Sequence, residues 1–362
     1  MDYKARQKRL LQSGEASKCD VFLVTHLPNV RYLCGFTGSS GVLALAPSGS
    51  VFFTDGRYSE QARAEVVGAR VVIARKSPLA AAAEWMRRGA GRSQRQVAGI
   101  ESEHLTVAAR ALIMRLLSSR VRLRNTAGAV ERLRMVKDEE EVARMRAAAK
   151  LGASLLDVVL PLIRPGITET TLAAEMEYAA RRTGAEGMSF PTIVAAGRRS
   201  ALPHARPSAN RVPRRGFVLF DFGVILAGYC SDRTRTVCVG RPSAEARQVY
   251  QAVLEAQQAA IAAVGPGVAV GEVDRTARNV LRGAGLARYF THSTGHGVGL
   301  EIHESPRVAA GQQEYLQPGM VITVEPGVYL AGRGGVRIED MVVVTGSGYE
   351  VLTSTGKELI VL

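Results

Sequence analysis

Two stretches of the sequence each carry a pair of carboxylates at the spacing of a β-hairpin. In residues 217–240, two apolar, β-branched runs meet at a short reversal, which is the pattern of two strands joined by a tight turn. A turn on Leu226 and Ala227 would set Asp221 directly opposite Asp232. Because opposed like charges destabilise a strand pair and are costly to bury, the pattern predicts a positive charge between these two carboxylates.

The same arrangement recurs near the C-terminus, where the chain is expected to turn at a glycine cluster around Gly332. That turn places Glu325 opposite Glu339 across a second hairpin. The segment GHGVGLEIHE, which contains His296 and His303, lies between the two hairpins. Four carboxylates and an imidazole form a donor set suited to hard or borderline divalent cations. The sequence therefore predicts a dinuclear metal site, and the glycines around His296 are expected to let the backbone approach the metals closely.

The composition indicates a soluble globular protein with two domains. The chain has 362 residues, of which 46% are hydrophobic, and a mean hydropathy of +0.03. The first 20 residues are charged throughout, and no apolar run approaches 18 residues, so neither a signal peptide nor a membrane span is expected. The four cysteines follow no CxxC or disulfide spacing, which favours reduced thiols and a cytoplasmic location.

The formal net charge of +14 does not point to a nucleic-acid partner. The basic residues are mostly arginines spread in pairs, and no basic block is interleaved with aromatic residues. A solvated, arginine-rich surface is the simpler interpretation.

Two domains with a boundary near residues 133–137 are predicted, covering residues 1–132 and 133–362. The first reads as a small α/β domain, with strands predicted over residues 21–25, 51–54 and 71–74 and helices over residues 58–67 and 79–88. The second opens with a helix that is capped by Asp138, carries acidic residues in its first turn and stops at Pro165 and Gly166.

An internal repeat within the second domain is the strongest indication of its architecture. Residues 164–185 align without gaps on residues 265–286, with Pro165 on Pro266. Each copy reads as a helix, a Pro-Gly stop, a second helix and a glycine, followed by an apolar run. A separation of 101 residues is too long for a solenoid repeat and suits a duplicated α+β half-domain. Two such halves related by a pseudo-twofold axis would enclose a site between them.

The order of the motifs resembles that of one family. The segments FTGSSG and TDGRY in the first domain, and DFGVILAGYCSDRTRT, HSTGHGVGLEIHE, TVEPGVY and GGVRIED in the second, are similar to motifs of the pita-bread metallopeptidases of the Xaa-Pro aminopeptidase and prolidase group. The resemblance covers essentially the whole chain. It implies an α+β protein in which a creatinase-like N-terminal α/β domain precedes a pita-bread catalytic domain with an internal pseudo-twofold repeat.

The resemblance also implies roles for individual residues. The residues that match metal ligands are Asp221, Asp232, His296, Glu325 and Glu339, and Asp232 and Glu339 match ligands that bridge two metals. Two such ions can hold a bridging hydroxide and polarise the scissile carbonyl, and Glu325 matches the group that transfers the water's proton to the leaving nitrogen. Catalytic roles are further implied for His204 and His303, and substrate-binding roles for His292, Arg307 and Arg337.

The two arginines are expected to act differently. Arg307 matches an arginine that binds the terminal carboxylate of dipeptides, which favours Xaa-Pro dipeptides over longer peptides. Arg337 is expected to orient a carboxylate ligand through hydrogen bonds. Two positions depart from the family pattern, because Pro191 stands where relatives often have an acidic residue and Arg199 where many have asparagine. Both departures concern the substrate pocket and not the metal ligands.

The predicted function is that of a dinuclear-metal exopeptidase that hydrolyses the bond between an N-terminal residue and a following proline, in dipeptides or oligopeptides. Manganese or cobalt is the expected metal, with zinc as a further candidate. A homodimer is expected from the resemblance alone. Two alternatives stay open: a methionine aminopeptidase-like activity on the same metal centre, and a peptide-binding pita-bread scaffold without catalysis.

Overall fold

The computed structural model describes residues 1–89, 95–353 and 355–362. These residues divide into two compact units, 1–134 and 135–362. No helix among them is both long enough and apolar enough to cross a membrane.

The first unit is built on one six-stranded mixed sheet. Its elements are α1 (Tyr3–Gln12), β1 (Val21–Val24), α2 (Leu27–Cys34), β2 (Val42–Leu45), β3 (Val51–Asp55), α3 (Ser59–Glu65), β4 (Arg70–Ala74), α4 (Pro78–Gly89), β5 (Gln96–Glu101), α5 (Val107–Leu116) and β6 (Val121–Thr126). The strands lie in the order β4-β3-β2-β1-β5-β6. β1 and β2 are apolar and buried at every position, as expected for strands covered on both faces. The strands and helices predicted for this domain are confirmed.

The helices of the second unit form two pairs. After α6 (Glu131–Met135), which spans the boundary between the units, the long helices are α7 (Glu139–Val159), α8 (Glu169–Arg182), α9 (Ala244–Ala262) and α10 (Val270–Gly283). The predicted cap of α7 is confirmed. The side chain of Asp138 accepts a hydrogen bond from the backbone of Glu141, and the Glu141 carboxylate accepts one from the backbone of Asp138.

The predicted internal repeat is confirmed by the bounds of these helices. α8 and α10 have 14 residues each and begin at Glu169 and Val270, which the repeat aligns. Gly166 and Gly267, in the turns before them, have φ values of 93° and 80°, a conformation that glycine adopts without steric cost. One buried apolar cluster surrounds α7 and α8, and a second surrounds α9 and α10. The unit therefore consists of two similar halves.

Short strands complete each half. They are β7 (Gly187–Met188), β8 (Ile193–Ala196), β9 (Gly216–Phe222), β10 (Val224–Leu226), β11 (Tyr229–Cys230), β12 (Arg233–Val239), β13 (Gly295–Gly297), β14 (Glu304–Val308), β15 (Val321–Val324), β16 (Gly327–Leu330), β17 (Gly334–Arg337), β18 (Asp340–Val344) and β19 (Tyr349–Val351). In the first half β9 lies between β8 and β12, and in the second β15 lies between β13 and β18.

The register of the first hairpin differs from the prediction. The turn lies on Ala227 and Gly228, whose φ values are 50° and 81°. Asp221 consequently pairs with Thr234, and Asp232 is displaced to the segment between β11 and β12. The predicted turn was one residue too early, because a two-residue turn in which both central residues have positive φ strongly favours glycine at the second of them. The two aspartates are therefore not directly opposed.

The register of the second hairpin is as predicted. β15 pairs with β18 and β16 pairs with β17 in one continuous register, which sets Glu325 opposite Glu339 at the junction of the two ladders. Gly332 lies in the turn with a φ of 75°. The hairpin thus delivers two carboxylates to one place.

Candidate metal centre

The five predicted ligands come from strands of both halves. Asp221 lies on β9, Asp232 just before β12, His296 on β13, Glu325 just after β15 and Glu339 just before β18. Nε2 of His296 is 3.5 Å from Oδ2 of Asp232 and 3.5 Å from Oε1 of Glu325. One ligand atom from each of Asp232, His296 and Glu339 lies within 4.8 Å of the other two. The fold therefore brings Asp232, His296, Glu325 and Glu339 together from distant parts of the sequence.

Hydrogen bonding selects the tautomer of His296. Its Nδ1 lies 2.9 Å from the carbonyl oxygen of Gly297, which can only accept, so Nδ1 carries the proton. Nε2 is then unprotonated and directs its lone pair toward the carboxylates. Burial lowers the pKa of His296 to about 4, which keeps the ring neutral at physiological pH. A neutral imidazole whose second nitrogen is hydrogen-bonded is the form that binds a metal.

The carboxylates of the cluster repel one another. Burial, together with Asp221 and Glu325, raises the pKa of Asp232 well above its usual range. Burial and the neighbouring Asp232 do the same to the pKa of Glu339, and burial raises the pKa of Glu325 to about 8. Oδ1 of Asp221 is buried and has no hydrogen-bond partner among the described residues. Because cations relieve such repulsion, this donor set fits divalent metal ions.

Arg337 contacts the ligands and is itself buried, with a side chain that is 2% exposed. Its guanidinium donates from Nη2 to Oδ2 of Asp221 and from Nε to Oγ1 of Thr234, the latter at 3.1 Å. Thr234 in turn donates to Oε2 of Glu339 at 2.7 Å. These contacts suit a residue that orients ligand carboxylates.

Tyr329 links Arg337 to His292 and was not among the predicted site residues. Nη1 of Arg337 donates to the Tyr329 hydroxyl at 2.6 Å, and that hydroxyl lies 2.8 Å from Nε2 of His292. Nδ1 of His292 is 2.8 Å from the carbonyl oxygen of Ser293, so Nδ1 carries the proton and Nε2 accepts from Tyr329. Both nitrogens of His292 are therefore engaged within the protein. The TVEPGVY motif contains the tyrosine, but only the pairing of β16 with β17 brings it to Arg337.

Two further histidines lie on the exposed side of the cluster. The ring of His303 meets that of His296 edge-on, with centroids 4.5 Å apart. Burial lowers the pKa of His303, and the charge of the nearby His204 lowers it further. Burial, together with Arg337 and His204, lowers the pKa of His292 to about 4. His204 and His303 are both exposed, so a substrate bound at the cluster could reach them.

Arg307 lies on β14, opposite His296 on β13. Cross-strand neighbours project from the same face of a sheet, so Arg307 is on the face that carries His296. Arg307 is exposed and has no carboxylate partner among the described residues. Its guanidinium is consequently available to an anion.

The glycines around His296 let neighbouring strands pack closely, and their predicted approach to the metals stays a prediction. A Cβ at Gly295 would overlap the carbonyl oxygen of Thr323 on β15, and one at Gly297 would overlap that of Ser305 on β14. β13 is therefore held closely between its neighbours, as is typical of glycine inside a strand. This packing fixes the position of His296.

Family models match both parts of the chain. Residues 143–346 match metallopeptidase family M24, and residues 6–136 match the creatinase/prolidase N-terminal domain. The chain is also 40% identical over 344 residues to the uncharacterized peptidase YqhT of Bacillus subtilis, an alignment that covers 95% of this chain and 96% of that protein.

Three solved structures are similar along nearly the whole chain. The Xaa-Pro dipeptidase from Bacillus anthracis has a TM-score of 0.95 and 38% identity, with 100% of both chains covered. The prolidase from Pyrococcus horikoshii has a TM-score of 0.91 and 32% identity, covering 98% of this chain and 100% of that one. The X-Pro aminopeptidase from Thermotoga maritima has a TM-score of 0.90 and 33% identity, covering 99% and 100%. The chain therefore belongs to metallopeptidase family M24, as a metal-dependent peptide hydrolase with a creatinase-type N-terminal domain and a pita-bread catalytic domain.

Proposed function

We propose that this protein is an Xaa-Pro dipeptidase, which hydrolyses the bond between an N-terminal residue and a following proline. The observation that carries the proposal is the buried cluster of Asp221, Asp232, His296, Glu325 and Glu339, whose neutral imidazole and crowded carboxylates suit two divalent cations. The names of the similar solved structures, an Xaa-Pro dipeptidase, a prolidase and an X-Pro aminopeptidase, support the choice of bond.

The five residues of this cluster would hold the two metal ions. Bound divalent ions polarise a scissile carbonyl and activate water at neutral pH. Manganese or cobalt is the proposed metal, because a set of four carboxylates and one imidazole is harder than the histidine- and cysteine-rich sets that favour zinc.

Glu325 is the proposed carrier of the proton. Hydrolysis of an Xaa-Pro bond converts a tertiary amide nitrogen into a secondary amine, so the leaving nitrogen must gain a proton. The side chain of Glu325 is 17% exposed, and its Oε1 lies 3.5 Å from Nε2 of His296. In the ionised form that a metal ligand must have, this carboxylate can accept a proton from water and pass it to the leaving nitrogen.

His204 and His303 are proposed to contact the substrate beside the cluster. Both are exposed, and an imidazole N–H can donate a hydrogen bond to the oxygen on which negative charge develops. His292 is instead proposed to act through Tyr329, because both of its nitrogens are already bonded.

Arg307 supports the preference for dipeptides. Its guanidinium, which has no carboxylate partner within the part of the chain that the structure describes, lies on the face that carries His296 and can bind the terminal carboxylate of a dipeptide through two parallel hydrogen bonds. In a longer peptide the carboxylate lies farther from the scissile bond, and this pair is lost.

A homodimer in the cytoplasm completes the proposal. All four cysteines are unpaired, as is usual for proteins in a reducing compartment. The dimer rests on the resemblance to the Xaa-Pro peptidases, and sedimentation of the purified protein would test it.

Turnover by protein that has been stripped of metal and reloaded with Mn²⁺ tests the function. The three substrates are Ala-Pro, Ala-Pro-Ala and Met-Ala, and metal content is measured in the same sample. We expect cleavage of Ala-Pro, much slower cleavage of Ala-Pro-Ala and none of Met-Ala.

The other outcomes separate the alternatives. Robust cleavage of the tripeptide would make the protein an Xaa-Pro aminopeptidase and remove the proposed role of Arg307. Cleavage of Met-Ala alone would indicate a methionine aminopeptidase-like activity. A protein that binds no metal and cleaves none of the three would be a peptide-binding scaffold.

A further inference from the structure

His204 lies in a loop of residues 197–210 that contains one short 3₁₀ turn, Gly197–Ala201, and no strand. A loop of this kind needs fixed contacts if it is to hold an active-site side chain in one place. A single buried carboxylate, that of Glu169, supplies many of them. Glu169 is the first residue of α8 and is fully buried.

The Glu169 carboxylate accepts hydrogen bonds from five donors in or next to this loop. They are the backbone N–H groups of Ala196 (2.9 Å) and Ser208 (3.1 Å), the Ser208 hydroxyl (2.8 Å), Nδ2 of Asn210 (3.2 Å) and Nε of Arg199 (3.0 Å). These donors come from both sides of His204 in the sequence. One side chain therefore closes the base of the loop.

Arg199 adds a further contact across the base of the loop. Besides its pair with Glu169, it donates from Nη2 to the carbonyl oxygen of Arg206 at 2.7 Å. Arg199 precedes His204 and Arg206 follows it, so the guanidinium spans the segment that carries the histidine. An asparagine at this position would be too short to make both contacts.

The tip of the loop is tied to the metal centre. The carbonyl oxygen of Pro203, the residue before His204, accepts a hydrogen bond from Nη1 of Arg337 at 3.1 Å. Arg337 also pairs with Asp221. His204 is therefore held between two fixed points, the Glu169 carboxylate at the base of the loop and the ligand cluster at its tip.

The second half of the repeat contains a similar arrangement. Asp274 on α10 is fully buried, pairs with Arg278 at 2.8 Å and accepts a hydrogen bond from Thr294. Arg278 donates to the carbonyl oxygens of Phe290 and His292. In both halves, a carboxylate–arginine pair involving the second helix holds the segment that carries a histidine of the site. The two carboxylates are not aligned by the repeat, so the arrangement and not the residue position is shared.

We infer that Glu169 and Arg199 are positioning residues for His204, and that they set the activity of the enzyme through this histidine. The inference rests on the proposed function, in which His204 contacts the substrate. Glutamine at position 169 would have the shape of glutamate. Its side chain carries an NH₂ group in place of one acceptor oxygen, so this group would face the N–H and O–H donors of the loop. Misplacing a catalytic side chain by about 1 Å can cost on the order of a hundredfold in rate.

A double-mutant cycle on the Mn²⁺-loaded enzyme with Ala-Pro as substrate tests this inference. The variants are Glu169→Gln, His204→Ala and the two combined, with Glu175→Gln, an exposed residue of the same helix, as the matched control. We expect Glu169→Gln to lower kcat/KM about tenfold to a hundredfold, and the double variant to be no worse than His204→Ala alone. Multiplicative losses in the double variant would overturn the inference.

Hydrogen exchange gives a second readout that does not depend on the substrate. In Glu169→Gln we expect amides of residues 197–210 to exchange at least about tenfold faster, while β9 and the Glu175→Gln control keep wild-type rates. If Glu169→Gln does not fold, the same measurements are made on Arg199→Met, a substitution at a partly exposed position. If the wild type fails to cleave Ala-Pro, the proposed function fails. Unchanged exchange of residues 197–210 in Glu169→Gln would overturn the positioning role whatever the activity.

Discussion

Arg337 donates a hydrogen bond to Oδ2 of Asp221, so a permanent cation touches one of the four clustered carboxylates. Oδ1 of the same aspartate has no partner among the described residues. Asp221 can therefore bind Arg337 with one oxygen and a metal ion with the other. The pair makes the stability of the metal-free protein depend on Arg337.

Replacing Arg337 with methionine should destabilise the metal-free protein strongly. Removing one partner of a buried ion pair costs roughly 3–5 kcal/mol, because the remaining charge is left buried without compensation. Mn²⁺ should then raise the unfolding temperature of Arg337→Met by more than it raises that of the wild type, since the ion supplies the missing positive charge. Differential scanning calorimetry with and without Mn²⁺ measures both effects.

The control for this variant is Arg333→Met, in the same hairpin. Arg333 pairs with Glu245 at the surface, where its side chain is 67% exposed, so its loss should cost less than about 1 kcal/mol. Equal destabilisation by the two substitutions would contradict a special role for Arg337.

The stability of the metal-free protein should fall as pH rises from about 7 to 8, a range in which the buried histidines are largely neutral in both the folded and the unfolded state. The folded-state pKa values of Asp232 and Glu339 are raised, and that of Glu325 is about 8. The stabilising contribution of these groups is fully present below the pKa of unfolded carboxyls, about 4, and is lost as pH rises through the folded values. Unfolding temperatures in EDTA across this range measure the trend.

Mn²⁺ should reverse the trend, because metal ligands must be deprotonated to bind. The increase in unfolding temperature on adding Mn²⁺ should therefore grow with pH. Asp232→Asn removes one titrating ligand, so it should flatten the dependence in EDTA and weaken the response to Mn²⁺. A wild-type protein whose stability in EDTA rises over this range would contradict the raised pKa values.

Substituting Tyr329 with phenylalanine should lower activity without changing which peptides are cleaved. The hydroxyl accepts from Arg337 and donates to His292, and a buried polar group left without its partner costs about 1–3 kcal/mol. A loss of about tenfold in kcat/KM for Ala-Pro is expected. The control is Tyr315→Phe, whose side chain is exposed, and activity equal to wild type in Tyr329→Phe would remove this residue from the site.

Substituting Arg307 with glutamine should raise KM for Ala-Pro with little change in kcat. A hydrogen bond to a charged group contributes about 1.5–3 kcal/mol, which corresponds to about ten- to a hundredfold in affinity. Arg307→Lys should recover only part of the loss, because lysine lacks the two-pronged geometry. Ala-Pro amide, which lacks the terminal carboxylate, is the matched control substrate, and Arg307→Gln should cleave it at the wild-type rate. An unchanged KM for Ala-Pro in Arg307→Gln would contradict the carboxylate contact.

The sequence predicted the duplicated helices, the capped start of α7 and the register of the second hairpin correctly. These features depend on local signals, namely a cap residue, Pro-Gly stops and alternating apolar positions. The register of the first hairpin was predicted wrongly, although the signal was local, because the turn was centred on Leu226 and Ala227 instead of Ala227 and Gly228. A shift of the turn by one residue changes every pairing along the two strands.

The sequence by itself determined which side chains could bind metal, because residue type sets the ligand chemistry and the motif order sets the family. The tertiary structure decided how those side chains are supported. Tyr329 reaches His292, and Glu169 reaches Arg199 and the rest of the His204 loop, only through strand and helix packing between distant segments. Such contacts have no fixed spacing along the chain, so no periodicity or motif predicts them.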